Sequence, residues 1–351
     1  MQNARGTRRE QACFAPDLHR TASRAPALGS RRWVCSMTHY TLYSGGQGSF
    51  RAAKVARAQH PDADHRLVFT DTLYEDADTY RFLIESAANV FGRTLNWTID
   101  AEAAPDYRAA AGTLIEDYCG NPDWRARLAE IRERAMADIP ELIWLVEGRD
   151  PWEVFRDRRY LGNSRIDPCS EMLKRKFFAQ WRAENCDAEA DTFAIGIGDW
   201  ESHRFDDGEG GGVGPRMVAE GWAYCAPLCG DPTEHPSLFY APVEQLGVAP
   251  ARNYGLGYVH DNCGGMCVKG GQAHWQNRHT RQPLRFAYDA MMERKVRAYL
   301  GADVSILTDR RNKEKKPMTL DQFARRMRRR PDLLFDYLPG ESGCGCMTGA
   351  A

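Results

Sequence analysis

The sequence predicts an α/β fold, a parallel sheet with helices on its faces. Three observations predict it: short buried-type strands end in polar tips, helical periodicity follows each of them, and the pattern repeats from Thr38 onward. The 351 residues suffice for one large core or two modest ones. The 43% hydrophobic and 27% charged fractions are those of an ordinary soluble globular chain. A formal net charge of -1 gives no global argument for nucleic acid or a membrane surface. No apolar run approaches the ~18 residues that a bilayer span needs, so no membrane partner and a cytoplasmic location are expected. Eleven cysteines without a secretory signal read as thiols or metal ligands rather than as a disulfide framework.

Residues 1–36 are Arg-rich and lysine-free, without sustained periodicity, and are expected to be a disordered tail. The composition also suits a targeting peptide. Met37, immediately before the first strand, is read as the true initiator, which makes the tail a mis-annotated start. Residues 37–300 form the predicted nucleotide-binding domain, and 301–351 a basic, Cys-containing C-terminal extension.

The first strand, around Tyr40, Leu42 and Tyr43, runs into SGGQGS and then into the helical spacing of FRAAKVARAQ. A strand, a glycine-rich turn and a helix in succession leave unpaired backbone N–H groups at a helix start. Gly45, Gly46 and Gly48 carry no Cβ to keep an anion away. Ser44, Gly45, Gly46, Gly48 and Ser49 are therefore candidate phosphate binders. RLVFTDT, residues 66–72, is a second strand, followed by a helix over about 78–91. Asp71 and Thr72 stand at its end, as nucleotide-side groups or as caps for that helix. WRARLAEIRERAM, from Trp124 to Met136, is helical, and DTFAIGIGD, residues 191–199, is a further strand. DDGEGGGVGP, residues 206–215, is a loop by composition. Thr319 or Asp321 caps a short helix in the basic segment from Arg310 to Arg330. That segment is either a solvated amphipathic helix or a contact to a polynucleotide.

Four more stretches carry chemistry. SRIDPCSEMLKRK, residues 164–176, sets Cys169 and Lys174 within about one helical turn of each other, and a helix-start position can lower a thiol pKa. GIGDWESHRF places Glu201 and Arg204 on one turn face, as an ion pair or with Arg204 free to bind an oxyanion. NCGGMCVKGG sets Cys263 and Cys267 with three residues between them, two of them glycine, and ESGCGC adds Cys344 and Cys346. Sulfur donors in such number select zinc or an iron–sulfur cluster over hard cations. The redox alternative has Cys344 or Cys346 attack substrate and then form a disulfide.

SGGQGS, DTLYEDADTY, PCSEMLK, GIGDWESHR and NYGLGYVHDNCGGMCVK, in this order, resemble the PP-loop superfamily, in its phosphoadenosine phosphosulfate (PAPS) reductase-like, adenine nucleotide α-hydrolase-like branch. The resemblance covers roughly residues 38–346. It implies a twisted, mostly parallel sheet with helices on both faces and an adenine nucleotide, PAPS or ATP, at the C-terminal strand edge. It also implies an enzyme, by sulfonucleotide reduction with a thioredoxin-like thiol reductant or by α–β phosphate cleavage. The implied catalytic residues are Cys169, Cys344, Cys346, Glu201 and Arg204, and the nucleotide-side residues Ser44, Gly45, Gly46, Gly48, Ser49, Asp71, Thr72 and Lys174. The implied ligands of a 4Fe-4S cluster or zinc are Cys263, Cys267, Cys344 and Cys346, with Cys169 as the alternative fourth. The alternatives are a nucleic-acid-modifying, thiolation-type ATP pyrophosphatase and a non-catalytic nucleotide-binding module. Three departures stand out: Leu73 replaces the family's usual glycine, Gly48 replaces an aspartate whose loss affects a magnesium contact, and the tail reads ESGCGC rather than an ECGxH-type motif.

Overall fold

The computed structural model describes residues 37–97, 123–163, 165–309 and 315–330. The predicted tail at 1–36, the Cys344–Cys346 pair and Arg310 lie outside them. Five strands form one all-parallel sheet: β1 Thr38–Leu42, β2 Asp64–Asp71, β3 Leu142–Val146, β4 Thr192–Ile195 and β5 Ala223–Cys225. The spatial order is β3-β2-β1-β4-β5. Parallel neighbours need crossovers, and the chain makes them first to one side of β1 and then, after β3, to the other. Leu42 at the end of β1 is level with both Val68 and Ile195. The order reverses between β1 and β4, so the crevice outside their C-terminal ends is a topological switch point, where open α/β sheets place ligands.

Side chains alternate across the strands, and each face has its own core. Leu67, Phe69 and Trp144 point toward helices α1 (Gln47–Gln59), α2 (Ala77–Phe91) and α3 (Asp123–Asp138), packing on Phe50, Phe82, Leu83 and Leu128. Helix α4 spans Pro151–Asp157. On the other face Leu42, Val68, Phe193 and Ile195 meet α5 and α6 through Phe178 and Met217. Helix α5 runs through three consecutive segments, Pro168–Ser170, a π-helical Glu171–Lys176 and Phe177–Asn185, and α6 is Val213–Ala219. The predicted loop at 206–215 is loop only to Gly212, because proline is tolerated in a first helical turn and Pro215 sits in that of α6.

A third cluster joins α4 to the later chain. Trp152 and Phe155 pack with Trp275, Phe286, Val296 and Phe323. These come from α7 (Gln272–Arg281), α8 (Pro283–Leu300) and α9 (Leu320–Arg329), and the antiparallel pair β6 (Leu307–Asp309) and β7 (Lys316–Met318) contributes Leu307 and Met318. Residues on both sides of position 300 thus share one core. Helix α9 starts at a capping box in which the Thr319 hydroxyl accepts from Gln322 N and the Gln322 side chain accepts from Thr319 N. It buries Leu320, Phe323 and Met327 and leaves Arg325, Arg328 and Arg329 exposed. Among the described residues no helix is long and apolar enough to cross a membrane.

Candidate active site

The loop Ser44–Ser49 lies at the switch point and is closed by its own serines. Ser49 Oγ accepts from Ser44 N at 3.1 Å and donates to Gly46 O at 2.9 Å, and the two hydroxyls are 3.2 Å apart. Gly45 turns with φ +73°, a left-handed conformation that costs a non-glycine residue about 1 kcal/mol or more. Gly48 and Gly196 account for each other: a Cβ on Gly48 would lie 2.9 Å from Gly196 O, and one on Gly196 would lie 2.6 Å from Ser49 N. The backbones leaving β1 and β4 touch, and this contact leaves no room for a side chain at either position. Tyr254 Oη accepts from Gln47 N at 3.1 Å, so a phenol occupies one of the helix-start amides predicted for an anion.

Beyond Gly196 the chain makes a 3₁₀ turn, Asp199–Arg204, in which Glu201 and Arg204 form a 2.6 Å ion pair with both side chains about four-fifths buried. Of the two readings of this pair, the ion pair is the one formed in the structure.

At the end of β2, Asp71 is buried and spoken for. Its Oδ1 accepts from Leu73 N at 2.7 Å and Tyr80 Oη at 2.9 Å, and its Oδ2 from Trp144 Nε1 at 3.0 Å. Burial, with the charge of Glu75, pushes its pKa up to about 6. Asp71 does not cap α2; Asp76 does, accepting from Asp78 N at 2.9 Å. Leu73 has φ +53°, a left-handed conformation in a non-glycine residue.

Three of the predicted cysteines come together beside Lys174. Cys169 opens α5, while Cys263 and Cys267 belong to the turn after Asp261. Burial pushes the Cys169 thiol well up, reinforced by the charge of Cys263 and, more weakly, that of Cys267. Cys263 rises to about 12, again chiefly by burial, and Cys267 rises for the same reason. The π-helical stretch of α5 carries Lys174 inward, to 4% exposure and 4.0 Å from Glu75 Oε1. Burial works against its charge, but the negative charges of Cys263, Glu75 and Cys169 outweigh it and hold the ammonium above its ordinary range. Thr72 Oγ1 donates to Glu75 Oε1 at 3.1 Å and lies 3.9 Å from Cys263 Sγ.

The thiol turn is held from behind. Cys263, Gly264 and Gly265 have φ of +52°, +53° and +78° in succession. Gly264 N donates to Glu75 Oε2, and Gly264 O accepts from Arg278 at 2.8 Å and Arg285 at 2.9 Å. Each arginine is neutralised by a buried carboxylate, Arg278 by Asp289 at 2.5 Å and Arg285 by Asp76 at 2.9 Å. Segment 253–261 joins the turn to the glycine loop: Asn253 donates to Asp261 at 2.6 Å, Thr79 Oγ1 donates to Asp261 O at 3.3 Å, and a Cβ on Gly45 would lie 3.2 Å from the Thr79 methyl.

Soft donors and burial suit a thiolate metal centre. However, among the described residues no three His, Cys, Asp or Glu side chains are arranged to hold a metal ion. The two remaining predicted ligands, Cys344 and Cys346, lie outside the described residues. The residues that sequence reasoning missed are Glu75, Tyr254, Asp261, Arg278, Arg285 and Asp289. Glu75, Tyr254 and Asp261 lie inside the quoted stretches DTLYEDADTY and NYGLGYVHDNCGGMCVK, which gave them no role, and for Arg278, Arg285 and Asp289, on α7 and α8, burial is what distinguishes them. No protein-family model, curated protein or solved structure matches the chain.

Proposed function

We propose that the chain is a PAPS-reductase-like PP-loop enzyme that binds an adenine nucleotide, PAPS or ATP, across the switch point. One observation carries the reading: the glycine loop, the Glu201–Arg204 turn and the thiol cluster, predicted from separate stretches of sequence, lie at the ends of β1, β2 and β4 or are tied to them by direct contacts. The loop amides and the α1 start stabilise charge developing on phosphate or sulfate oxygens. For a phosphate to reach the Gln47 amide, Tyr254 has to swing away.

Buried thiols with raised pKa values are poor nucleophiles at neutral pH. Metal ligation by Cys169, Cys263 and Cys267, with Cys344 or Cys346 completing the set, would likewise require the sulfurs to lose their protons. Such a centre supplies sulfur or electron chemistry when it is bound. Lys174 offsets the negative charge the sulfurs acquire on losing their protons. In the competing reading, a sulfonucleotide reduction in which Cys344 and Cys346 are redox thiols and not metal ligands, one of them as thiolate displaces adenosine bisphosphate from the sulfonyl sulfur. A second thiol then displaces sulfite, leaving a disulfide that a thioredoxin-like reductant returns to thiols. A second reading, a nucleic-acid-modifying ATP pyrophosphatase, draws on the exposed arginine face of α9 and predicts binding to duplex or tRNA that weakens steeply with salt.

The deciding experiment gives anaerobically purified protein PAPS or ATP and measures sulfite and pyrophosphate, with iron, zinc and sulfide analysis of the same sample. Saturable binding and one of the two products are expected. Gly46→Val is the control. Gly46 has φ −114°, open to any residue, but a Cβ there would lie 3.0 Å from Tyr254 Oη. Unchanged affinity for both nucleotides in the folded variant rejects the reading.

A further inference from the structure

Between α5 and α6, on the sheet face opposite α1 and α2, is a cavity of about 310 Å³. Its apolar lining is Leu42, Phe178, Ala179, Met217 and Tyr224. Four cationic side chains, Arg175, Lys176, Arg182 and Arg216, face two carboxylates, Glu171 and Glu220. Lys176 and Glu171 neutralise each other at 2.6 Å. Arg175 reaches its nearest carboxylate, Asp167, only at 3.7 Å.

The informative residue is Arg182. It is 4% exposed, its guanidinium lies 4.3 Å from the Trp222 ring, and Phe178, Phe193 and Tyr224 surround it. It donates to Tyr224 Oη at 2.7 Å and to Glu220, at 3.3 Å, whose side chain is half exposed. Its Nε has no partner. A buried cation whose one carboxylate partner among the described residues looks into solvent leaves a positive potential beside the apolar part of the cavity wall. The volume is at the small end of ligand sites, enough for a single ring with one headgroup.

We propose that this cavity binds a small amphiphilic anion: an aromatic or branched aliphatic body against Phe178, Met217 and Tyr224, and a carboxylate or phosphate headgroup toward Arg175, Arg182 and Arg216. The cavity lies on the sheet face opposite α1, the helix that the glycine loop opens, and the proposal does not depend on the nucleotide reading.

Saturation-transfer NMR on the full chain tests it with phenylacetate and phenyl phosphate, whose comparison separates the two headgroups, and with benzyl alcohol as the neutral probe. Saturable millimolar binding of at least one anion is expected, and none of the alcohol. Ala179 is exposed on α5 and lines the cavity, so Ala179→Phe fills the space without unburying core and is expected to weaken binding at least about tenfold. Arg175→Gln keeps the packing and is expected to weaken it by about tenfold, the worth of one charge-assisted hydrogen bond. Circular dichroism monitors folding, and Arg175→Gln carries the test if the filled variant unfolds. The proposal is overturned if neither anion saturates, if benzyl alcohol binds equally well, if folded variants bind like wild type, or if ATP displaces the probes.

Discussion

The glycine loop at 44–49 and the thiol turn at 263–265 are both bends where backbone is pressed against its neighbours, and they are held by opposite means. The loop is stitched by neutral hydrogen bonds among residues at most five apart in sequence, with one long-range hydrogen bond among the described residues, from Gln47 N to Tyr254, and a packing contact to Gly196. The turn has a non-glycine residue and two glycines in left-handed conformation. It is clamped by Glu75, Arg278 and Arg285, the first of them 189 residues from Gly264. A bend held locally folds wherever its segment folds. One held by buried charges exists only once several helices have docked, and losing a single charge leaves its partner stranded in low dielectric.

The largest expected effect tests that clamp. Arg278→Met removes the guanidinium that Asp289 faces in the core, leaving it the Tyr74 hydroxyl, and is expected to cost about 3–5 kcal/mol by urea denaturation. The double variant Arg278→Met, Asp289→Leu should recover much of it, although Gly264 O and Tyr74 Oη each lose a partner. A single variant within 1 kcal/mol of wild type, on the order of one ordinary hydrogen bond, would remove the contrast between the two bends.

A smaller effect is expected in the loop. Ser49→Ala deletes the acceptor for Ser44 N and the donor to Gly46 O, at about 1–2 kcal/mol, with nucleotide affinity falling more than stability if the loop is the phosphate site. Tyr254→Phe sharpens the same point. It frees Gln47 N, so pyrophosphate is expected to bind a few-fold tighter while the stability loss stays near 1 kcal/mol. Weaker pyrophosphate binding would instead make the phenol part of the site.

A pH dependence is expected from Asp71. Its folded pKa is raised, so the stability linked to its protonated form is complete below 3.8 and is lost as pH rises through about 6. Asp71→Asn lacks that slope. The wild-type advantage over the variant should therefore shrink across this window, and an advantage that grows with pH would show Asp71 to be stabilised as a carboxylate.

Much of the scaffold was legible in local sequence. Strands β1, β2 and β4, the helix after Ser49, the helices near 78–91 and 124–136 and the Thr319 cap follow from periodicity and capping chemistry, which act over a few residues, whereas β3, β5, β6 and β7 were not read. The buried roles of Lys174, Glu75 and Arg278 were not legible, because a charged residue in a helix reads the same whether it faces water or a partner. Leu73 misled for a related reason: a leucine gives no local sign of positive φ, and the bond from Leu73 N to Asp71 holds it there.

By itself the sequence determined that strands and helices alternate, that glycine-rich backbone follows β1, and that thiols cluster near positions 169 and 263–267, since composition and spacing are properties of the chain. Only the tertiary structure decided that the strand order reverses between β1 and β4, that Gly48 and Gly196 must both lack a side chain, and that Cys169 meets Cys263 beside Lys174. Those outcomes depend on contacts between residues dozens to hundreds of positions apart. Packing density and the desolvation of charge select among them, and neither quantity exists before the helices close over the sheet.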